Sequence, residues 1–226
     1  MTTRALVVEL LNHNAPREVV TRMEEALRSE EKRRGEFRQW LEPDVKAEFI
    51  LGEVVVHSPA THGHNQAVVK ISTLLTTYCA FSETGLTGVE KALIETARND
   101  YEPDVSVWLA ERAAEFTDDM LYYPPPDLVV EVLSKSTEDR DRGVKYDDYC
   151  REGVSEYWIV DPRVRRVQQY RLDTGYEGEN IYREIVVTGQ EILTSTILPD
   201  FSVPVASFFY AKPFAEALHR LGGQTP

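Results

Sequence analysis

"PDLVVEVLSKST", residues 126–137, reads as a β-strand covered on both faces. Leu128, Val129, Val130, Val132 and Leu133 supply the nearly continuous apolar run that such a strand needs. Glu131 interrupts it. An ionised carboxylate in an apolar setting is costly, so Glu131 must be paired, bound to a metal or protonated. The next segment, "STEDRDRGVKYDDYCREG" (136–153), reads as a helix with Ser136 or Thr137 as N-cap and Gly153 as the stop. "SEYWIVDP", 155–162, is a second strand.

Upstream, "KAEFILGEVVVHSP" (46–59) predicts two short strands turning at Gly52. In "THGHNQAVVKISTLLTTYCAF" (61–81), Val68, Ile71, Leu74, Leu75 and Tyr78 keep the helical period. "GVEKALIET" (88–96) and "PDVSVWLA" (103–110) predict strands, and "ERAAEFTDDM" a helix or loop. Downstream, "RVQQYRL" and "YREIVVT" predict a hairpin closing over "DTGYEGENI", and the tail holds one late helix. At the N-terminal end, residues 16–42 predict a helix with Pro16 near its start and apolar positions at Val19, Val20, Met23 and Leu27. Residues 1–42 are expected to form an N-terminal helical appendage and 43–226 the main domain.

The 226 residues, 42% of them hydrophobic, suffice for a sizeable core. No apolar run approaches the length of a membrane span, and "MTTRALVVELL" is a poor signal peptide because Glu9 breaks its apolar run. The expected location is therefore the cytoplasm. Cys79 and Cys150 lie in no metal-binding pattern and are expected reduced. The net charge of −13 argues against a protein that coats DNA non-specifically. It leaves room for a metal-dependent enzyme that concentrates carboxylates at its metal.

Carboxylates do stand where ordinary strands would not carry them. Asp104 comes after Pro103 at a strand start, Glu131 lies inside a buried run, and Glu53 comes after Gly52 at a third strand start. Three such groups on neighbouring strands would form a hard, oxygen-rich pocket suited to Mg²⁺ or Mn²⁺. Lys145 lies one helical turn after Asp141 and is long enough to reach back to them.

The run 125–162, with "LGEVVVHSPATHGHNQ" and "EPDVSVWL" upstream, resembles the Uma-type restriction endonucleases, a bacterial family of the PD-(D/E)XK nuclease superfamily. The resemblance covers roughly residues 44–210. It implies a restriction-endonuclease-like α/β core, a mixed β-sheet flanked by helices. It implies Asp104 and Glu131 as the motif carboxylates, with the main-chain carbonyl of Val132 completing a metal site. The motif's lysine position is occupied by Leu133, so Lys145 is the expected replacement. Glu53 and His64 match positions that the family keeps polar; His62 matches less well.

Phosphodiester hydrolysis needs an activated water, neutralised charge and a protonated leaving group. Asp104 and Glu131 would hold the ion, and Lys145 would orient water or stabilise the transition state. Glu53 would hold a second ion or its water, and His64 would act as acid, base or phosphate contact. Plainer readings exist for each. Glu131 and Lys145 can form a structural ion pair, Asp104 a strand-start turn, and the histidines helix-end or surface groups. The tyrosines at 146, 149 and 157 read as packing, and "RVRR" (163–166) as solvated strand-edge charge. The expectation is a Mg²⁺- or Mn²⁺-dependent nuclease acting on DNA as a homodimer. The alternatives are a catalytically silent nuclease-fold binding protein and a metal-dependent hydrolase of another phosphoester.

Overall fold

In the computed structural model, residues 3–223 other than 43 and 177 are described. Helices α1 (Thr3–Leu11) and α2 (Pro16–Trp40) lead into a hairpin of β1 (Ala47–Ile50) and β2 (Glu53–Val56). Then come α3 (His62–Ser82), β3 (Gly85–Val89), β4 (Leu93–Glu95), β5 (Asp100–Tyr101) and β6 (Val105–Leu109). The short α4 (Ala110–Ala113) and β7 (Tyr122–Tyr123) precede β8 (Leu128–Val132). Helices α5 (Glu138–Arg142) and α6 (Val144–Arg151) connect it to β9 (Glu156–Asp161). A long hairpin, β10 (Arg166–Thr174) and β11 (Asn180–Thr188), leads to β12 (Ile192–Thr194) and β13 (Ser202–Pro204). A 3₁₀ turn at Val205–Phe208 and α7 (Ala211–Gly222) come last.

The apolar run of 128–133 does what its composition demands. All five residues of β8 are buried, and the strand sits inside a six-stranded mixed sheet ordered β11-β10-β9-β8-β6-β3. It runs antiparallel to β6 and parallel to β9. A parallel neighbour requires a crossover, here the helical segment α5–α6. Side chains alternate across the sheet. Val130 and Val132 join the core under α3 and α7, with Ile71, Leu74, Leu75 and Leu221. Val129 and Leu133 face the opposite cluster, with Tyr149, Tyr157, Ile159 and Ile50. Glu131 has the parity of Val129 and Leu133, so the period-2 rule points it at α6.

A second sheet, ordered β2-β1-β5-β4-β7, lies beside this one. The hairpin turn predicted at Gly52 is present, with φ 50° at Leu51 and 87° at Gly52, the two left-handed positions of a tight hairpin. Positive φ at Glu90 (61°) accompanies a break in the strand expected at 88–96. Its two halves, β3 and β4, belong to different sheets.

The single helix expected over 136–153 is two helices. Gly143, at φ −113° and ψ −103°, ends α5 and begins α6. Its backbone leaves the helical region, and a Cβ there would lie 2.8 Å from the Asp139 carbonyl. Thr137 precedes α5 without capping it through its side chain; its Oγ1 instead accepts the Ser134 N–H. Gly153 stops the second helix at φ 80°, as expected.

Helix α2 extends from solvent onto the second sheet. Phe37 is buried against Phe49, and Arg34 and Arg38 both bind the fully buried Asp100 carboxylate. Its other half leaves Val20, Met23 and Leu27 exposed. Helix α1, in the N-terminal segment expected to be helical, also exposes Val7, Val8 and Leu11. Cys79 and Cys150 are free and buried. Among the described residues no helix is long and apolar enough to cross a membrane.

Candidate active site

Strand register brings Asp104 and Glu131 together. Val105 of β6 pairs with Val130 of β8, so the next step along the ladder sets Asp104 beside Glu131. Asp104 precedes the strand and its side chain serves as a ladder acceptor: Oδ2 receives the Val132 N–H at 2.8 Å. The same oxygen lies 3.1 Å from Nε2 of His64 on α3, while Oδ1 accepts from Lys46 at 3.0 Å. Thr61 caps α3 by accepting the His64 N–H, which fixes where the imidazole enters.

Glu131 meets α6. Lys145 Nζ donates to its Oε1 at 2.8 Å, and the Tyr149 hydroxyl donates to the same atom at 3.3 Å. Lys145 is 1% exposed. Its ammonium is also 2.8 Å from Glu48 Oε1 and 3.6 Å from Asp141 Oδ1, with the Tyr101 ring centroid at 5.6 Å. Glu48 is held in turn by His57 Nε2 at 3.0 Å and by the Glu102 N–H at 3.0 Å.

The electrostatics arise from burial and counting. Burial, together with repulsion from Asp141, Asp104 and Glu48, holds Glu131 well above the ordinary carboxylate range despite Lys145. Burial would also raise Asp104, but the His64 hydrogen bond, Lys46 and the Val132 N–H overcome it and hold the group far below its usual value. Glu48 is likewise brought down to about 2, because Lys145 and His57 outweigh its desolvation. Desolvation opposes a charged Lys145, yet Glu131, Glu48 and Asp141 keep it firmly an ammonium. His64 is raised because its Asp104 contact outweighs burial. Asp104, Glu131, Glu48 and Asp141 are all buried around two lysines, and Lys46 is shared with Glu90.

Of the residues predicted from sequence, the structure gathers Asp104, Glu131, Lys145 and His64, with Val132 joined through its N–H. It does not bring Glu53 to them. Glu53 is exposed on β2, across from Ile50, and its side chain forms no hydrogen bond or ion pair with a described residue. The physical reason is sheet order: β2 is an edge strand, whereas β1 lies between β2 and β5. The carboxylate delivered to Lys145 is therefore Glu48 of β1. His62 is exposed. Lys46, Glu48 and Asp141 were missed as site residues; the only sequence signal for Asp141 was its helical spacing from Lys145.

The family model described as "Uma2: Putative restriction endonuclease" matches residues 34–206. The chain belongs to the Uma2 family. Two uncharacterized proteins of Synechocystis sp. are similar to this Uma2 protein. Slr1290 is 31% identical over 131 residues, covering 55% of this chain and 65% of its own. Sll1609 is 30% identical over 145 residues, covering 60% and 81%. The match thus spans just under two thirds of the first relative's length. The fold is similar to the crystal structure of a "putative nuclease belonging to DUF820" from Anabaena variabilis. That likeness has a TM-score of 0.66 at 15% identity and covers 81% of this chain and 97% of the other. It establishes a nuclease-like α/β fold.

Among the described residues of this Uma2 chain, no three Asp, Glu, His or Cys side chains are already disposed as a metal cluster. The donor chemistry nevertheless fits a hard cation. Mg²⁺ is commonly held by one or two carboxylates and retains several waters. Asp104, Glu131 and a main-chain carbonyl make such a set. A surface cavity of about 490 Å³, lined by Tyr146, Cys150, Asn180 and Tyr182 among others, includes none of these carboxylates. The chemistry therefore points to the carboxylate cluster.

Proposed function

We propose that this Uma2 chain is a Mg²⁺- or Mn²⁺-dependent nuclease that hydrolyses phosphodiester bonds in DNA, acting in the cytoplasm as a homodimer. The observation that carries the reading is a fully buried ammonium, Lys145, 2.8 Å from Glu131, on a strand adjacent to the one that Asp104 precedes. Asp104, Glu131 and the Val132 carbonyl would hold the cation. When bound, such a cation lowers the pKa of a water and neutralises charge developing on the phosphate. Lys145 orients the attacking water through one of its three N–H donors. His64 holds Asp104 in place through Nε2. Tyr149 supports the orientation of Glu131.

One observation favours a second reading, a catalytically silent nuclease-fold binding protein. Both Asp104 oxygens are already occupied, by Lys46, His64 and the Val132 N–H. A self-neutralised network of this kind needs no metal. A cleavage assay with single-stranded DNA, duplex DNA and a small phosphodiester, each with Mg²⁺, Mn²⁺ or EDTA, separates the readings. Ion-dependent cleavage of DNA that disappears in Asp104→Asn supports the nuclease. Cleavage of the small ester alone assigns another phosphoester, and no cleavage of any substrate leaves the binding protein.

A further inference from the structure

Lys145 has three N–H donors: one hydrogen-bonds Glu131, and Glu48 lies beside the ammonium as an ion pair at 2.8 Å. Its third neighbour, Asp141, stands off at 3.6 Å. Asp141 is 1% exposed, and neither of its carboxylate oxygens has a hydrogen bond of proper geometry to a described residue. Burial raises the Asp141 pKa despite the pull of Lys145 and Thr137, and the Thr137 hydroxyl is engaged with Ser134. A buried acceptor left without a partner costs free energy. The packed fold keeps one there, facing an ammonium with a donor to spare.

Glu131 has two claims on it. Its Oε1 already accepts from Lys145 and Tyr149. A carboxylate that also holds a divalent cation gives up part of its hold on an ammonium. Glu48 cannot take up the slack alone, since His57 and the Glu102 N–H fix it in place. Resting on the metal-dependent reading above, we propose that Asp141 is a positioning residue for Lys145, the carboxylate that receives its ammonium when Glu131 turns to a bound divalent cation. The contact needs only to shorten from 3.6 Å to an ordinary charged hydrogen bond of about 2.8 Å. The flexible lysine stem permits this, and so does the break at Gly143 between the helices that carry the two residues. Glu48 is then the fixed pivot and Asp141 the second berth, and the ammonium stays beside the cation instead of being expelled from it.

The test is Mn²⁺ binding by calorimetry to the wild type, Asp141→Asn and Asp139→Asn. Asp139 is exposed on the same helix and serves as the control. Asp141→Asn is expected to bind Mn²⁺ at least about tenfold more weakly, the usual effect of losing a group that supports metal ligands, with its metal-free melting temperature close to wild type. Asp139→Asn is expected to bind as the wild type does. A folded Asp141→Asn with wild-type affinity overturns the role of Asp141 alone. A wild type that binds no divalent cation overturns the metal-dependent reading and this inference with it. A second measurement needs no variant: the ¹⁵N signal of the Lys145 ammonium should move on saturation with Mg²⁺. An unmoved signal in a chain shown to bind Mg²⁺ overturns the handover.

Discussion

Lys145 Nζ lies 2.8 Å from Glu131 Oε1 in a setting where the lysine is 1% exposed. The position at which the sequence resemblance would put that cation, two residues after Glu131, is the apolar Leu133, which packs with Tyr149 and Tyr157. The charge is instead delivered from α6, fourteen residues after Glu131.

This placement gives Lys145 a structural role beside the chemical one proposed for it. Lys145→Ala would leave Glu131, Glu48 and Asp141 buried without their common partner. Breaking a buried pair from one side costs on the order of 3–5 kcal/mol. The expected result is a urea midpoint far below wild type, together with loss of any metal-dependent cleavage. A Lys145→Ala variant as stable as wild type and fully active would remove both roles at once.

Divalent ions should raise the melting temperature. Burial and three neighbouring carboxylates already push Glu131 upward, so a cation relieves repulsion that the fold carries without it. A ligand that binds only the native state adds about 2.7 kcal/mol at one hundred times its Kd. A melting series with EDTA, Mg²⁺, Mn²⁺ and Ca²⁺ is expected to show a shift in the wild type and a much smaller one in Glu131→Gln. An equal shift in both would place the binding elsewhere.

How much of this was legible in the chain differs residue by residue. Glu131 announced itself because nothing else breaks the apolar run of β8. Asp104 was legible because Pro103 marks a strand start. Glu48 was not, since a charged residue in "AEFI" reads as the solvent-facing half of an alternation. Only the pairing of β1 with both β2 and β5 buries it. Glu53 looked equivalent from its own neighbourhood, and the same pairing leaves it outside. The break at Gly143 was also hidden: a single glycine in a helical pattern is ordinary, and here its departure from helical geometry separates α5 from α6.

His64 gives the cluster a pH signature. Its Asp104 contact raises its pKa above the ordinary value of 6.5. A group whose pKa is raised on folding stabilises the native state fully below its unfolded value and loses that contribution as pH rises through the folded value. Without metal, the melting temperature should therefore decline from about pH 6.5 upward, in the range where this histidine titrates. His64→Asn should flatten that part of the profile. An unchanged slope in the variant would assign the pH dependence to other groups.

The two halves of α2 should respond oppositely to truncation. Phe37 is 2% exposed and packs on Phe49 at a centroid distance of 5.8 Å. Emptying such a site costs about 3–5 kcal/mol. Met23 on the same helix is 55% exposed, and its truncation should change stability by no more than about 0.5 kcal/mol. Denaturant midpoints of Phe37→Ala and Met23→Ala test this directly. The Arg34 and Arg38 pairs with Asp100 argue the same way, because they tie this half of the helix to β5 through a carboxylate with no exposure. If Phe37→Ala melts like wild type, α2 is not an integral part of the second sheet's packing, and the site strand β1 is held without it. If Met23→Ala is the damaging change, its exposed face is covered in solution.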